Sequence, residues 1–194
     1  MLIIGIDPSF SSTGFCVYDP EQQQAYLAQI SKPREGNHVG NRCRSIAHEV
    51  GEQIVRSGLV DACDTIHVFI ENPAGALRGW AQDLPVLYWA IIMGLEAEKF
   101  LYTNIYPVAS ATLKKFLTGR GNCKPEDKAL AVLRNYEHLI PEEMLVGPEK
   151  KGGLLAKKDA YDALGLAVLG HCFLSPVGFT KAQQESVKKV ASLS

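Results

Sequence analysis

Two short apolar runs in this chain each stop at a carboxylate: Ile3-Ile4-Gly5-Ile6-Asp7 and Val68-Phe69-Ile70-Glu71. Such runs read as short strands of a sheet covered on both faces, and the acid marks the point where each strand reaches the sheet's exposed carboxyl edge. A third segment, Lys158-Asp159-Ala160-Tyr161-Asp162-Ala163-Leu164, reads as a helix, where positions three apart share a face, so Asp159 and Asp162 project together. Taken singly, these residues have ordinary uses: acids after strands make turns and caps, and acid pairs decorate solvated helix faces. Together they fit a sharper chemistry. Hydrated Mg²⁺ takes oxygen ligands in octahedral geometry, and cleaving a phosphodiester with two such ions requires several carboxylates converging on one point.

The remaining segments supply an α/β frame. Residues 2–7, 13–18 and 24–30 read as strands of an antiparallel meander, with a turn at Asp19-Pro20. Residues 42–58 carry Ile46, Val50, Ile54 and Val55 at helical spacing, and the strand at 66–71 should then return parallel to the first by a right-handed crossover. A strongly apolar helix follows at 84–100, then a short fifth strand at 104–107 and helices at 109–117 and 125–136, the last with Pro125 in its first turn. Residues 141–156, with Pro141, Gly147, Pro148, Gly152 and Gly153, read as a mobile loop ahead of the acidic helix. The expectation is a mixed five-stranded sheet flanked by helices, one domain over 1–175, and a polar tail over 176–194 in which Thr180 and Gln183 suit a helix cap.

With 46% hydrophobic residues the chain has material for a sizeable core. It holds no apolar run near the roughly 20 residues that cross a bilayer, and it begins on a strand rather than a signal peptide, so a soluble, cytoplasmic protein with no membrane association is expected. Cys16, Cys43, Cys63, Cys123 and Cys172 contain no C-x-x-C pair, which points to reduced thiols rather than zinc or disulfides. The net charge of −1 gives no overall attraction to nucleic acid, but residues 110–158 hold 10 Lys and Arg against 6 Asp and Glu. Positive charge is thus concentrated beside the last acidic motif, where a phosphate backbone would lie.

Four motifs carry a family resemblance. Ile4-Gly5-Ile6-Asp7-Pro8-Ser9 through Thr13-Gly14-Phe15 resembles the opening hairpin of RuvC-type Holliday junction resolvases, nucleases of the RNase H-like superfamily. Ile70-Glu71-Asn72 resembles their second acidic strand, residues 112–122 their Val-Lys...Thr-Gly-x-Gly segment, and residues 159–167 their closing Asp-Ala-x-Asp-Ala-Leu-x-x-Ala helix. The motifs stand in family order and span the chain to about Phe173.

The resemblance implies an RNase H-like fold and a nuclease that resolves four-way DNA junctions by paired nicks, with Asp7, Glu71, Asp159 and Asp162 holding two Mg²⁺ or Mn²⁺ ions. Small residues on the acidic helix, Ala160, Ala163, Gly165, Ala167 and Gly170, would let it approach the sheet closely. Lys114 matches the family's active-site-proximal lysine. A second family lysine follows the Gly-x-Gly loop; Lys124 and Lys128 both remain candidates, with Lys124 favoured for its place before a helix start. Lys115, Arg120, Lys150, Lys151, Lys157 and Lys158 complete the basic surface expected to hold DNA. The family's stacking phenylalanine is missing after Glu71; Trp80 lies nearby, as a stacking ring or a residue tucked under the next helix. In the family, the helix equivalent to 84–100 forms a two-fold interface, so a homodimer is expected, with Leu87, Ile91 and Leu95 as the candidate seam positions; burial in the chain's own core is the alternative. These departures tilt the source toward a virus or mobile element, in a bacterial or virus-infected cell.

Competing readings are a branched- or flap-DNA nuclease, a non-catalytic junction-binding relative, and an actin-like or sugar-kinase-type ATPase, whose first phosphate loop resembles Gly5-Ile6-Asp7 with Ser11, Ser12 and Thr13. The ATPase would need a second lobe and a second phosphate loop, and a binding-only relative is expected to have lost a carboxylate.

Overall fold

The computed structural model describes residues 1–31, 38–59, 65–73, 83–97, 103–145 and 157–191. Strands β1 (Leu2–Asp7), β2 (Thr13–Asp19) and β3 (Gln24–Ile30) form an antiparallel meander. Helix α1 (Val39–Arg56) crosses to β4 (Ile66–Asn72), which lies parallel to β1, and α2 (Leu84–Ala97) precedes β5 (Thr103–Ala109), parallel to β4. The sheet order is β3-β2-β1-β4-β5. Helices α3 (Ser110–Thr118), α4 (Pro125–Tyr136), α5 (Lys158–Leu174) and α6 (Lys181–Val187) follow. Among the described residues this is the expected mixed sheet flanked by six helices, and none of those helices is long and apolar enough to cross a membrane.

Strand alternation divides the core in two. Leu2, Ile4 and Ile6 of β1 with Val68 and Ile70 of β4 pack under α1 and α2, whereas Ile3 and Phe69 face α5. Asp7 is in phase with Ile3, and Glu71 with Phe69, so the same alternation turns both acids toward α5. That helix sits almost on the strand backbones. A Cβ built on Gly5 would stand 1.9 Å from the Ala163 carbonyl oxygen, and one on Gly14 would stand 1.8 Å from that of Asp159. The close approach thus rests mainly on glycines of the strands. Of the small helix residues, Gly170 lies over the Phe69 ring and Gly165 against Leu113 and Leu117 of α3.

Several element limits differ from expectation. Helix α1 begins at Val39, which packs against the core under α1 and α2. Strand β5 runs on through Pro107 to Ala109, pairing with Asn72; as the sheet's edge strand it can hold a proline. Part of the expected loop is a 3₁₀ turn, Glu142–Met144, to which the buried Tyr161 hydroxyl donates at 2.6 Å through the Met144 carbonyl. Residues 146–156 and 98–100 lie outside the described residues, as do Cys63, Trp80, Lys150 and Lys151.

Helix α2 requires a correction. Leu87, Ile91 and Leu95 are turned into the core and none of them offers a seam. The outward stripe is Val86, Trp89 and Met93, exposed at 50%, 54% and 63%. Beyond Pro176 the chain folds back: Thr180 caps α6 by accepting from the Gln183 N–H, and Val187 and Val190 join the core beside α5.

Candidate active site

Asp7 ends β1 opposite Gly14 of β2, and Glu71 stands one strand away on β4, one residue past the Ile6–Ile70 pair. Helix α5 enters over this edge with its Asp159 carbonyl against Gly14, which lays its first two turns across the strand ends. Asp159 and Asp162, three residues apart on that helix, are both buried. The fold therefore gathers Asp7, Glu71, Asp159 and Asp162 at one point, through two strand ends and one helix face.

Their charges are strongly felt. Burial pushes the Asp7 carboxyl well above the usual aspartate range, and repulsion from Glu71, Asp162 and Asp159 adds to it. Burial also raises Asp162, to about 6, against the opposing pull of Lys128. The Lys128 ammonium, itself buried, donates to Asp162 Oδ2 at 2.5 Å. Burial alone would lower the Lys128 pKa, but the charge and hydrogen bond of Asp162, with Glu71 and Asp7 behind it, raise it instead. Lys158 donates to Asp159 Oδ1 at 2.6 Å, and burial working against that bond is likewise overcome, so its pKa rises.

The donor set suits a hard dication. Glu71 Oε2 is buried without a hydrogen-bond partner among the described residues, an arrangement that costs about 1–3 kcal/mol for a polar atom unless a cation or water meets it. No three His, Cys, Asp or Glu side chains among the described residues form a ready-made cage for one ion. Asp162 and Asp159 are each paired with an ammonium, of Lys128 and Lys158. All four acids offer oxygen, the ligand type Mg²⁺ and Mn²⁺ prefer. Beside them a cavity of about 210 Å³ is lined by Asp7, Pro8, Glu71, Asn72, Pro73, Leu84 and Ser110.

Over its full length the chain superposes on the whole of a Thermus thermophilus RuvC structure, with a TM-score of 0.59 and 18% identity. A second Thermus thermophilus RuvC structure, in complex with a Holliday junction substrate, matches at TM-score 0.56 and 18% identity, covering all of this chain and 99% of that one. This chain has a RuvC-like fold. No family sequence model matches it, and no curated protein matches it in sequence.

On this RuvC-like frame the basic residues take distinct places. Lys128, rather than the favoured Lys124, enters the acid cluster. Lys124 is exposed at the N-cap of α4, where its backbone N–H donates to the Asp127 carboxylate at 3.1 Å. Lys114 is half-buried on α3, one turn after Ser110 of the cavity wall and on the same face. Lys115 and Arg120 are exposed, and Lys157 donates to the Met144 sulfur at 3.4 Å. Asn72 and Ser110 also line the cavity, though the sequence did not single them out as site residues. The signal for each was adjacency, Asn72 directly after Glu71 and Ser110 where β5 gives way to α3 at the same edge.

Proposed function

We propose that the protein is a metal-dependent, structure-selective DNA endonuclease that resolves four-way junctions by paired nicks, acting as a homodimer. The observation that carries this reading is the gathering of Asp7, Glu71, Asp159 and Asp162 at one sheet edge around an unpartnered, buried Glu71 oxygen. The RuvC-like fold supports it, as does the neighbouring Thermus protein's complex with a Holliday junction substrate.

The four carboxylates would hold two Mg²⁺ or Mn²⁺ ions, which when bound activate water and stabilise the leaving 3′ oxygen of an in-line displacement. The chain's own groups do the rest. Lys128 fixes the rotamer of Asp162 from inside α4, so that ligand arrives oriented. Lys114, one helical turn after Ser110 of the cavity wall, would contact the scissile phosphate or its neighbour as a point charge. Lys115, Arg120, Lys124, Lys157 and Lys158, with Lys150 and Lys151 of the adjoining segment, track the backbone, and Trp80 stacks on a base. The stripe Val86–Trp89–Met93 on α2 meets its symmetry mate, delivering two sites to two related strands.

The test is to incubate the protein with labelled four-way junctions, flaps and linear duplex, with Mg²⁺ or with chelator. Symmetric paired nicks in the junction, dependent on the metal, are expected. Preferential cutting of flaps would replace the resolvase reading by that of a flap nuclease, and intact DNA throughout would remove the nuclease reading.

A further inference from the structure

The acid cluster contains two ammonium groups of different standing. Lys128 is enclosed, with 8% of its side chain exposed, and its Nζ–Asp162 pair lies between α4 and α5. Lys158 makes a bond of 2.6 Å to Asp159, but 42% of its side chain is exposed at the first residue of α5. One ammonium is fixed by packing, whereas the other is held by its partner carboxylate at the rim. The neighbouring Lys157, with the same charge one residue earlier, is directed to the Met144 sulfur instead.

Resting on the nuclease reading, we propose that Lys158 is a displaceable counter-ion: its ammonium occupies Asp159 until a divalent cation takes that carboxylate, and it then swings outward to bind a phosphate of the substrate backbone. The physical basis is competition for one carboxylate. A dication and an ammonium repel each other at that range, and only the group on a flexible, partly solvated stem can leave. Once outside, Lys158 adds a cation to the rim facing the DNA, so cation binding and DNA binding favour each other. That coupling is reciprocal by thermodynamic necessity.

The experiment titrates Mn²⁺ into the free protein by calorimetry, using wild type, Lys158→Gln, Lys158→Met, Lys157→Gln and Asp159→Asn. It also measures junction affinity with and without Mn²⁺ by stopped-flow anisotropy before a turnover. Freeing Asp159 should raise Mn²⁺ affinity by about fivefold or more in both Lys158 variants, the lower end of usual coupling factors, and reduce the Mn²⁺-dependent gain in junction affinity by a similar factor. Lys157→Gln should stay within about twofold of wild type in Mn²⁺ affinity, because its ammonium does not touch an acid. Unchanged Mn²⁺ affinity in the Lys158 variants, an equal rise in Lys157→Gln, or an undiminished gain in junction affinity would overturn the proposal. If Asp159→Asn takes up Mn²⁺ like wild type, the metal site itself is misassigned and the proposal goes with it.

Discussion

Asp7 and Asp162 both hold protons more tightly than ordinary aspartates, chiefly because they are buried. The folded chain therefore binds these protons more strongly than the unfolded chain, and the metal-free protein loses stability as pH rises from the ordinary aspartate range through about 6. For Asp162 alone, a rise from 3.8 to about 6 corresponds to a loss on the order of 3 kcal/mol. In chelator, scanning calorimetry should show a Tm that falls between about pH 5 and 7.5, and Mn²⁺ should restore far more of it at the higher pH; equal restoration at both would contradict the assignment of these carboxylates as ligands. Cleavage should likewise fade on the acid side of about pH 6, with the limb moving lower in excess metal. Replacing Asp7, Asp159 or Asp162 by Asn, or Glu71 by Gln, should cut the rate by about 10² or more while junction binding persists in gel shifts. Near-normal turnover in two of the four would sink the site assignment.

At the level of elements, the seat of α5 is the sensitive joint. Gly14→Ala places a methyl on the Asp159 backbone, and Gly5→Ala places one on that of Ala163. Neither obstacle can rotate away, so each change should destabilise by about 1–3 kcal/mol or more in denaturant melts. Gly14→Ala should also lower cleavage beyond its effect on folding, because it displaces an acid-bearing turn; normal activity in a folded variant would refute that geometry. The acid-ended strands and the i,i+3 pair were legible because apolar alternation and helical spacing are local properties of the chain. The place of Lys128 was not, since it depends on how α4 docks against α5, and Lys124 looked better only by proximity to a helix start. The outward stripe of α2 was hidden for another reason. A helix apolar on every side carries no polar face to break the tie between Leu87, Ile91 and Leu95 and the exposed Val86, Trp89 and Met93.

For the whole molecule, that stripe makes a prediction about assembly. Light scattering should find a particle of about 42 kDa, twice the 21.2 kDa chain, and Trp89→Arg or Met93→Arg should reduce it to the monomer because an unpaired charge cannot enter an apolar seam. The monomer should nick junctions singly. A wild-type protein that is monomeric both alone and on a junction would end the paired-nick reading while leaving the carboxylate site intact. Across the basic surface, charge removal at Lys115, Arg120 and Lys124 should flatten the salt dependence of binding, each lost phosphate contact taking roughly 0.9 from the log–log slope. Lys114→Ala should harm cleavage more than affinity. An unchanged slope would route the DNA over another face.

The contact between Gly14 and the Asp159 carbonyl also works as a mechanical stop. Because backbone meets backbone there, the gap between the helix-borne and strand-borne acids is set by atomic radii and not by the balance of charges. Filling the site with cations cannot draw the helix inward, and emptying it leaves the glycines still in contact. In the proposed metal-bound site, adjustment would therefore fall to the side-chain torsions of the acids and not to a movement of the helix.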